Sequence, residues 1–463
     1  MFTVKDILVS TGGSILSGEE NDMLVGVCTD TRRLKPGELF VAIKGDRFDG
    51  HNFILDAVSR GAGGVLVQDG CITNSNFDMQ KVSFISARDT IKALGDIARF
   101  HRARFTIPLL GITGSNGKTT TKEMLAAILA KKFNVLKNFG TENNRIGVPL
   151  TLMRLNAEHK IAVLEMGTNH LGEIKRLSEI AMPTIAVITN IGPSHLEHLK
   201  DIETVLKAKC EILEFLSGGE GRVIINGDDE SLSTIKTALK VVRFGLNKDF
   251  DFYADKINLE PDGISFRLNG EWDIEIGLVG RHNVYNALAA IASSWDFGIS
   301  IDDIRDALRE FRVPNMRMEV KRLGDIKIIN DTYNSNPLSM RQAIESLKDM
   351  TTKGRKILVA GDMLELGNLS GRFHHLVGRQ AAESGIDLIV AVGKLAEHIS
   401  NGAQEAGMSG KKIKMCNITK EACATVLQLI KKGDTVLVKG SRAMKMEQIV
   451  NELEAQFTSS GNR

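Results

Sequence analysis

The stretch GITGSNGKTTTKEMLAAILA, residues 111–130, constrains the fold of this chain more than any other. It is entered by a strand-like apolar segment, IPLLGIT, and left by a helical pattern, KEMLAAILA. A glycine-rich turn in that position lets backbone N–H groups converge on an anion at the positive end of a helix. Gly114, Ser115, Asn116, Gly117, Lys118, Thr119 and Thr120 are therefore candidate phosphate-binding residues, with Lys118 suited to bridging terminal phosphates and the Thr119 hydroxyl to holding Mg²⁺. The spacing is G-x-x-G-K-T-T; the commoner G-x-x-x-x-G-K-T would put glycine at position 112, where this chain has Ile112.

Such a loop belongs to a parallel sheet, and the neighbouring sequence supplies one. Apolar segments (KIAVLEMG, PTIAVITNIG, GRVIINGDD) alternate with helical patterns from about Thr106 to Pro314, which predicts strands covered by helices on both faces. DFDFYADKINLEPDGISFRLNGEWDIEIGLVG reads as antiparallel hairpins, and HNVYNALAAIASSWDFG as a helix. Before this region, residues 1–105 mix short strands and turns. After it, residues 315–463 repeat the alternation in KILVAGD, DLIVAVG and DTVLVKGS, each strand running into a glycine. The expected fold is α/β in three domains: a mixed α/β domain over 1–105, a P-loop ATPase-like parallel-sheet domain over 106–314 and a Rossmann-like domain over 315–463. With 463 residues the chain is too long for one core.

Ligands of open parallel sheets lie at the carboxyl ends of the strands. There the sequence places Glu165, at the end of AVLEMG, and His195, just past AVITNIG. Thr119, Glu165 and His195 form a candidate divalent-metal set for Mg²⁺, with Mn²⁺ also compatible. A lone histidine is often a satisfied structural residue, and that reading stands beside the ligand one. VLKAKCEIL puts Lys207 and Lys209 in a helical pattern, which physics alone leaves on a solvated face. His282 and Asn283 open a helix; their side chains could read an adenine edge, and a helix cap is an equal alternative for the asparagine.

Bulk properties exclude several classes. Net charge is +2, so no bulk nucleic-acid or membrane partner is expected. No apolar run reaches about 18 residues, so no membrane span is expected. The N-terminus meets Lys5 and Asp6 before any long apolar run, unlike a signal peptide. Five scattered cysteines without a CxxC read as reduced thiols in a cytoplasm.

Taken in order, GSNGKTT, ENNRIGVP, LEMG, ITNIGPSHLEHL, KAKCEI and GRHNVYNALAA resemble the Mur ligase family of peptidoglycan synthesis, and the likeness extends over nearly the whole chain. TDTRRLKPGELFVAIKGDRFDGHNF, NDTYNSNPLSM, LVAGDMLELG and VKGSRAMKME resemble its branch that joins D-alanyl-D-alanine to a UDP-muramoyl-tripeptide. The resemblance implies ATP-dependent amide formation through an acyl phosphate, with Lys118, Lys209 and His195 as the catalytic set. It implies that Lys209 is carbamylated into a metal-side carboxylate. On the ATP side it adds Arg317 and Asp331 to His282 and Asn283. Tyr333, Asn334 and Asn336 would receive the dipeptide. Asp30, Arg32, Lys44, Gly45, Asp49 and His51, with Asn143 and Asn144, would hold the UDP substrate. Relatives read G-N-x-N-N where this chain has Thr141, a residue that still donates and accepts hydrogen bonds. The implied partners are small molecules, and a monomer is expected. Another ligase of the superfamily, such as folylpolyglutamate synthase or the ligase that adds the third amino acid, is the nearest rival. A P-loop kinase or NTPase would leave the first and third regions without a purpose.

Overall fold

The computed structural model describes residues 2–45, 48–71, 82–216 and 221–459. Three main sheets follow one another along the chain. The first has five strands in the order Ser14–Ser17, Ser83–Ala87, Gly64–Gln68, Leu39–Val41 and Val27–Cys28, parallel except for the Ser14–Ser17 edge.

The second sheet carries the phosphate loop. At its centre Leu109–Thr113 lies between Ile161–Glu165 and Ile185–Ile188, all parallel. Every residue of these three strands is buried, and the side chains alternate between two cores as a strand's period of two requires. Leu110, Ile112, Val163 and Val187 face the helices Lys118–Leu129 and His282–Ser294; Leu109, Ala162, Leu164 and Ile188 face Gly147–Leu152, Glu173–Ala181 and Ile202–Cys210. Continuous apolar runs are thus the signature of a sheet covered on both sides. The hairpins read from the sequence are present as Phe252–Glu260, Gly263–Leu268 and Trp272–Ile276. They do not form a separate sheet, because Phe252–Glu260 pairs in parallel with Lys240–Gly245 and extends the central sheet to nine strands. Here burial alternates residue by residue, as expected for a sheet wet on one face.

The third sheet orders Glu319–Leu323, Ile326–Asp331, Thr435–Lys439, Lys356–Gly361, Leu388–Val392 and Ile413–Cys416, parallel beyond its antiparallel first pair. Met340 and Ala343 of the helix Pro337–Asp349 share one apolar cluster with Ile191 and Leu196 of the central region, so the second and third sheets present their loop ends to a common cleft.

Candidate active site

The loop 114–117 leaves the central strand where its two neighbours also end, and the residues that follow Ile185–Ile188 hold it. The Asn116 N–H donates to Asn190 Oδ1 at 2.9 Å, and its carbonyl accepts from Thr189 Oγ1 at 2.6 Å. The Ser115 hydroxyl donates to the Gly192 carbonyl and accepts the Gly192 N–H. Both glycines are required. Gly114 sits at φ 140° and Gly117 at φ 80°; a Cβ would stand 2.0 Å from Thr189 Oγ1 in the first and 2.2 Å from Asn286 Oδ1 in the second. The Lys118 ammonium curls over the loop onto the carbonyls of Gly114 (2.7 Å) and Ser115 (3.3 Å), partners it can exchange for phosphate oxygens. Burial lowers its pKa; the Glu165 carboxylate opposes that shift and the Arg317 guanidinium adds to it.

One strand away, Glu165 is 1% exposed, and its carboxylate forms no salt bridge among the described residues. Its carboxylate accepts from Thr119 Oγ1 at 2.7 Å and from Asn143 Nδ2 at 2.6 Å. Asn138 holds the Glu165 backbone through both its N–H and its carbonyl. A buried carboxylate met only by neutral donors, touching a hydroxyl at the edge of a phosphate loop, fits a hard divalent cation. Thr119 and Glu165 are therefore brought together as expected. His195 is not brought into contact with them: it lines the same cavity, but its Nδ1 pairs with Glu365 Oε2 at 2.6 Å. Among the described residues no three His, Cys, Asp or Glu side chains converge as a metal site.

The structure separates the two lysines that the sequence left together. Lys207 is exposed and Lys209 is 1% exposed, so the solvated-face reading fails for Lys209. Burial drives the Lys209 ammonium's pKa well below the ordinary lysine value, Lys118 pushes the same way, and Glu173 and Glu211 oppose. Burial thus favours the neutral amine over the ammonium at this position.

His282 and Asn283 open the helix His282–Ser294 on the far side of the loop. Asn283 is not its cap: its amide donates back to the Val279 carbonyl at 2.8 Å and accepts from Asn286 Nδ2 at 2.9 Å. Burial lowers the His282 pKa to about 4, with Lys439 adding to the shift and Asp331 opposing it, so the ring is neutral at pH 7. From the third region, Arg317 reaches the same cavity between two residues in the left-handed region, Met316 (φ 63°) and Met318 (φ 55°), and lies 3.9 Å from the Tyr333 ring centre. Asp331 is held by the Met318 N–H (3.1 Å) and by Lys439 Nζ (2.6 Å), which also donates to the Asn334 carbonyl.

The cavity enclosed by these groups has a volume of about 630 Å³. It is lined by the phosphate loop, Asn143, Asn144, Glu165, His195, His282, Asn283, Arg317, Asp331, Tyr333, Asn334 and Asn336. Asp30, Arg32, Lys44, Gly45, Asp49 and His51 do not line it. They form short local pairs in the first region: Arg32 with Asp30 at 2.6 Å, His51 Nδ1 with Asp49 at 2.6 Å, and a backbone bridge from Lys44 to Asp49.

Asn286, Lys439 and Glu365 are among the residues of the cavity and its rim that escaped the sequence reading. Asn286 had a signal, being one helical turn after Asn283. Lys439 ends a strand at the same edge of its sheet as Asp331, and the strand-end rule points to it. Glu365 lies in the segment LVAGDMLELG, but nothing in that segment points to its partner His195, 170 positions away.

A strand-borne phosphate loop facing a second α/β unit across a polar cleft fits an ATP-using ligase, and the comparisons supply the family. Residues 112–294 match the Mur ligase middle domain, 316–442 the Mur ligase glutamate ligase domain, and 24–102 the Mur ligase family catalytic domain. The UDP-N-acetylmuramoyl-tripeptide–D-alanyl-D-alanine ligase of Bacillus subtilis is 38% identical over 454 residues, covering 97% of this chain and 98% of the relative. The crystal structure of MurF from Acinetobacter baumannii superposes with a TM-score of 0.88 at 31% identity, covering 98% of this chain and 99% of that one. MurF ligase from Thermotoga maritima in complex with ADP gives a TM-score of 0.83 at 27% identity, covering 95% and 99%. The chain belongs to the Mur ligase family.

Proposed function

We infer that the chain is an ATP-dependent, ADP-forming ligase that joins D-alanyl-D-alanine to UDP-N-acetylmuramoyl-tripeptide in peptidoglycan precursor synthesis. The observation that carries this reading is a shared cavity in which the phosphate loop faces the 331–336 segment, within one hydrogen bond of it at Asn116. Relatives of that name match the chain nearly end to end. In this reading residues 1–105 hold the UDP sugar, 106–314 hold ATP and 315–463 hold the acceptor.

A carboxylate is a poor electrophile, and phosphorylation turns one of its oxygens into part of a leaving group. The terminal carboxylate of the tripeptide attacks the γ-phosphorus of ATP, giving an acyl phosphate and ADP. The free amine of the dipeptide then attacks the acyl carbon, inorganic phosphate departs and the nitrogen loses a proton. Lys118, with the N–H groups of 114–120, follows the charge of the transferring phosphoryl group. Neutral His282, with Asn283 and Asn286, flanks the nucleotide, and Arg317 and Asp331 approach from the acceptor side. Tyr333 and Asn334 receive the dipeptide; Asn143 and Asn144 turn the UDP substrate's peptide toward the loop.

Thr119 and Glu165 would hold Mg²⁺, with Mn²⁺ as a substitute and His195 as a further ligand on the cavity wall. When bound, the ion neutralises phosphate charge. Neutral Lys209 would add carbon dioxide and release a proton, becoming a carboxylate-like carbamate on that side. No helix among the described residues is long and apolar enough to cross a membrane, and the proposed setting is the cytoplasm, with the enzyme a monomer.

Phosphate release tests the reading. Release should be efficient with ATP, UDP-muramoyl-tripeptide and D-alanyl-D-alanine, much lower with D-alanine and near zero with glutamate. Polar groups waiting for the second residue would otherwise stay unpaired, at about 1–3 kcal/mol each. Equal rates with glutamate and a folate would favour folylpolyglutamate synthase, and turnover indifferent to the acceptor an NTPase.

A further inference from the structure

One polar contact between the phosphate loop and the C-terminal region has no part in the chemistry above. Asn336 Nδ2 donates to Asn116 Oδ1 at 2.8 Å, and Asn116 Nδ2 donates to Asn336 Oδ1 at 3.2 Å, a reciprocal amide pair between residues 220 apart in sequence. Neither side chain is free to turn over. Asn336 caps the helix Pro337–Asp349, its Oδ1 accepting the Ser339 N–H at 2.8 Å while Ser339 Oγ accepts the Asn336 N–H. A flipped amide would set Nδ2 against that N–H, donor to donor, so the cap assigns the orientation. Asn116 is pinned at its own backbone by Thr189 and Asn190, which leaves its side chain aimed across the cleft. The packing beside the pair is equally close. Leu338 lies over Gly192, where a Cβ would stand 2.7 Å from Leu338 Cδ2.

The geometry points to Asn116 and Asn336 as an interdomain latch, a pair of positioning residues that ties the phosphate loop to the capped end of the acceptor-side helix. The identity of the acceptor in this statement rests on the ligase reading; the latch itself does not. Asn336 then acts on the dipeptide through the helix it caps, rather than by touching it. Because Asn116 belongs to the loop that carries Lys118 and Asn336 to the segment that carries Tyr333 and Asn334, holding the pair shut sets the acyl phosphate and the incoming amine in register. Loss of either amide should open the same contact, so the two residues share one energetic effect.

The test uses the full chain with four variants: Asn336→Asp, which keeps the cap but turns the donor into a carboxylate oxygen facing Asn116 Oδ1, and Asn116→Ala, Asn336→Ala and their double. The KM for D-alanyl-D-alanine should rise roughly tenfold in Asn336→Asp, as expected for one hydrogen bond lost and an oxygen–oxygen contact put in its place, with the KM for ATP within about twofold and the melting temperature unchanged. The alanine double should be no worse than its worse single, the mark of a coupled pair. Small-angle X-ray scattering with a non-hydrolysable ATP analogue should show the wild type more compact than each variant. A rise in acceptor KM confined to the Asn336 variants, or losses that multiply in the double, would overturn the latch in favour of direct dipeptide contact. If the wild type releases no phosphate with D-alanyl-D-alanine, the ligase reading fails while scattering still decides the latch, because equal radii for wild type and variants overturn it.

Discussion

The phosphate loop and the charged turns of the first region are both short, polar and glycine-containing, but they are held by different means. In the loop, the anchors come from far along the chain: Thr189, Asn190 and Gly192 grip residues 115 and 116, and Asn286 covers Gly117. In the charged turns of the first region Asp30 is answered by Arg32 and Asp49 by His51, each two residues away, and the Arg32 side chain is 83% exposed. Distant anchoring leaves the loop in its binding shape before any ligand arrives. The Asp30–Arg32 pair holds only itself, and a ligand can replace either partner at little cost to the fold, while His51 has one further anchor in the Gln68 N–H at 3.0 Å. Substitutions in the loop should therefore separate activity from stability sharply, and substitutions in the turns should affect stability very little.

The largest effect should fall on Lys118. Lys118→Ala removes an ammonium whose partners are two loop carbonyls, so kcat should drop by roughly 10²–10³-fold while the melting temperature stays within about 2 °C. Near-normal phosphate release in this variant would erase the contrast between loop and turns. Lys209 and Lys207 sharpen it next. Lys209→Ala should be nearly inactive, not restored by bicarbonate and partly restored by acetate, whereas Lys207→Ala should stay within about twofold of wild type, because only Lys209 is buried. A carbamate on Lys207, detected by mass spectrometry or crystallography, would reverse that assignment.

His282 gives a smaller effect, read in stability. Its folded pKa of about 4 lies below the ordinary 6.5, so between those values the unfolded chain binds the extra proton. Stability should then be whole above pH 6.5 and fall as the pH drops toward 4, by on the order of 3 kcal/mol at most from this group. Urea denaturation across that window should show a slope that flattens in His282→Gln; an unchanged slope would place the ring in water. The smallest change should come from Arg32→Ala, with a melting temperature within about 1 °C of wild type and a raised KM for the UDP substrate. A large loss of stability there would show that the first-region turns are braced like the loop after all.

Legibility followed the distance over which each feature is specified. The strand, turn and helix around Lys118 were readable because glycine conformation, helix polarity and strand burial are written in about twenty consecutive residues. The helical pattern around Lys209 was readable in the same way, but its reading as a solvated face was wrong, since the apolar cluster enclosing Val205 and Ala208 is assembled from distant elements. The hairpins after Asp251 were visible, while their attachment to the central sheet through Phe244 and Phe252 was not. Alternation reports that a strand has a wet face and is silent about which edge it joins.

By itself, then, the sequence determined the phosphate loop, the parallel sheet that carries it and the carboxylate at the neighbouring strand end, because each depends on residues adjacent in the chain or on a strand's own periodicity. Tertiary structure alone decided that Lys209 and not Lys207 is desolvated, that His195 answers to Glu365, and that Asn336 meets Asn116. Burial and hydrogen-bond partnership are properties of an environment, and the environment of each of these side chains is built by chain that lies tens to hundreds of residues away.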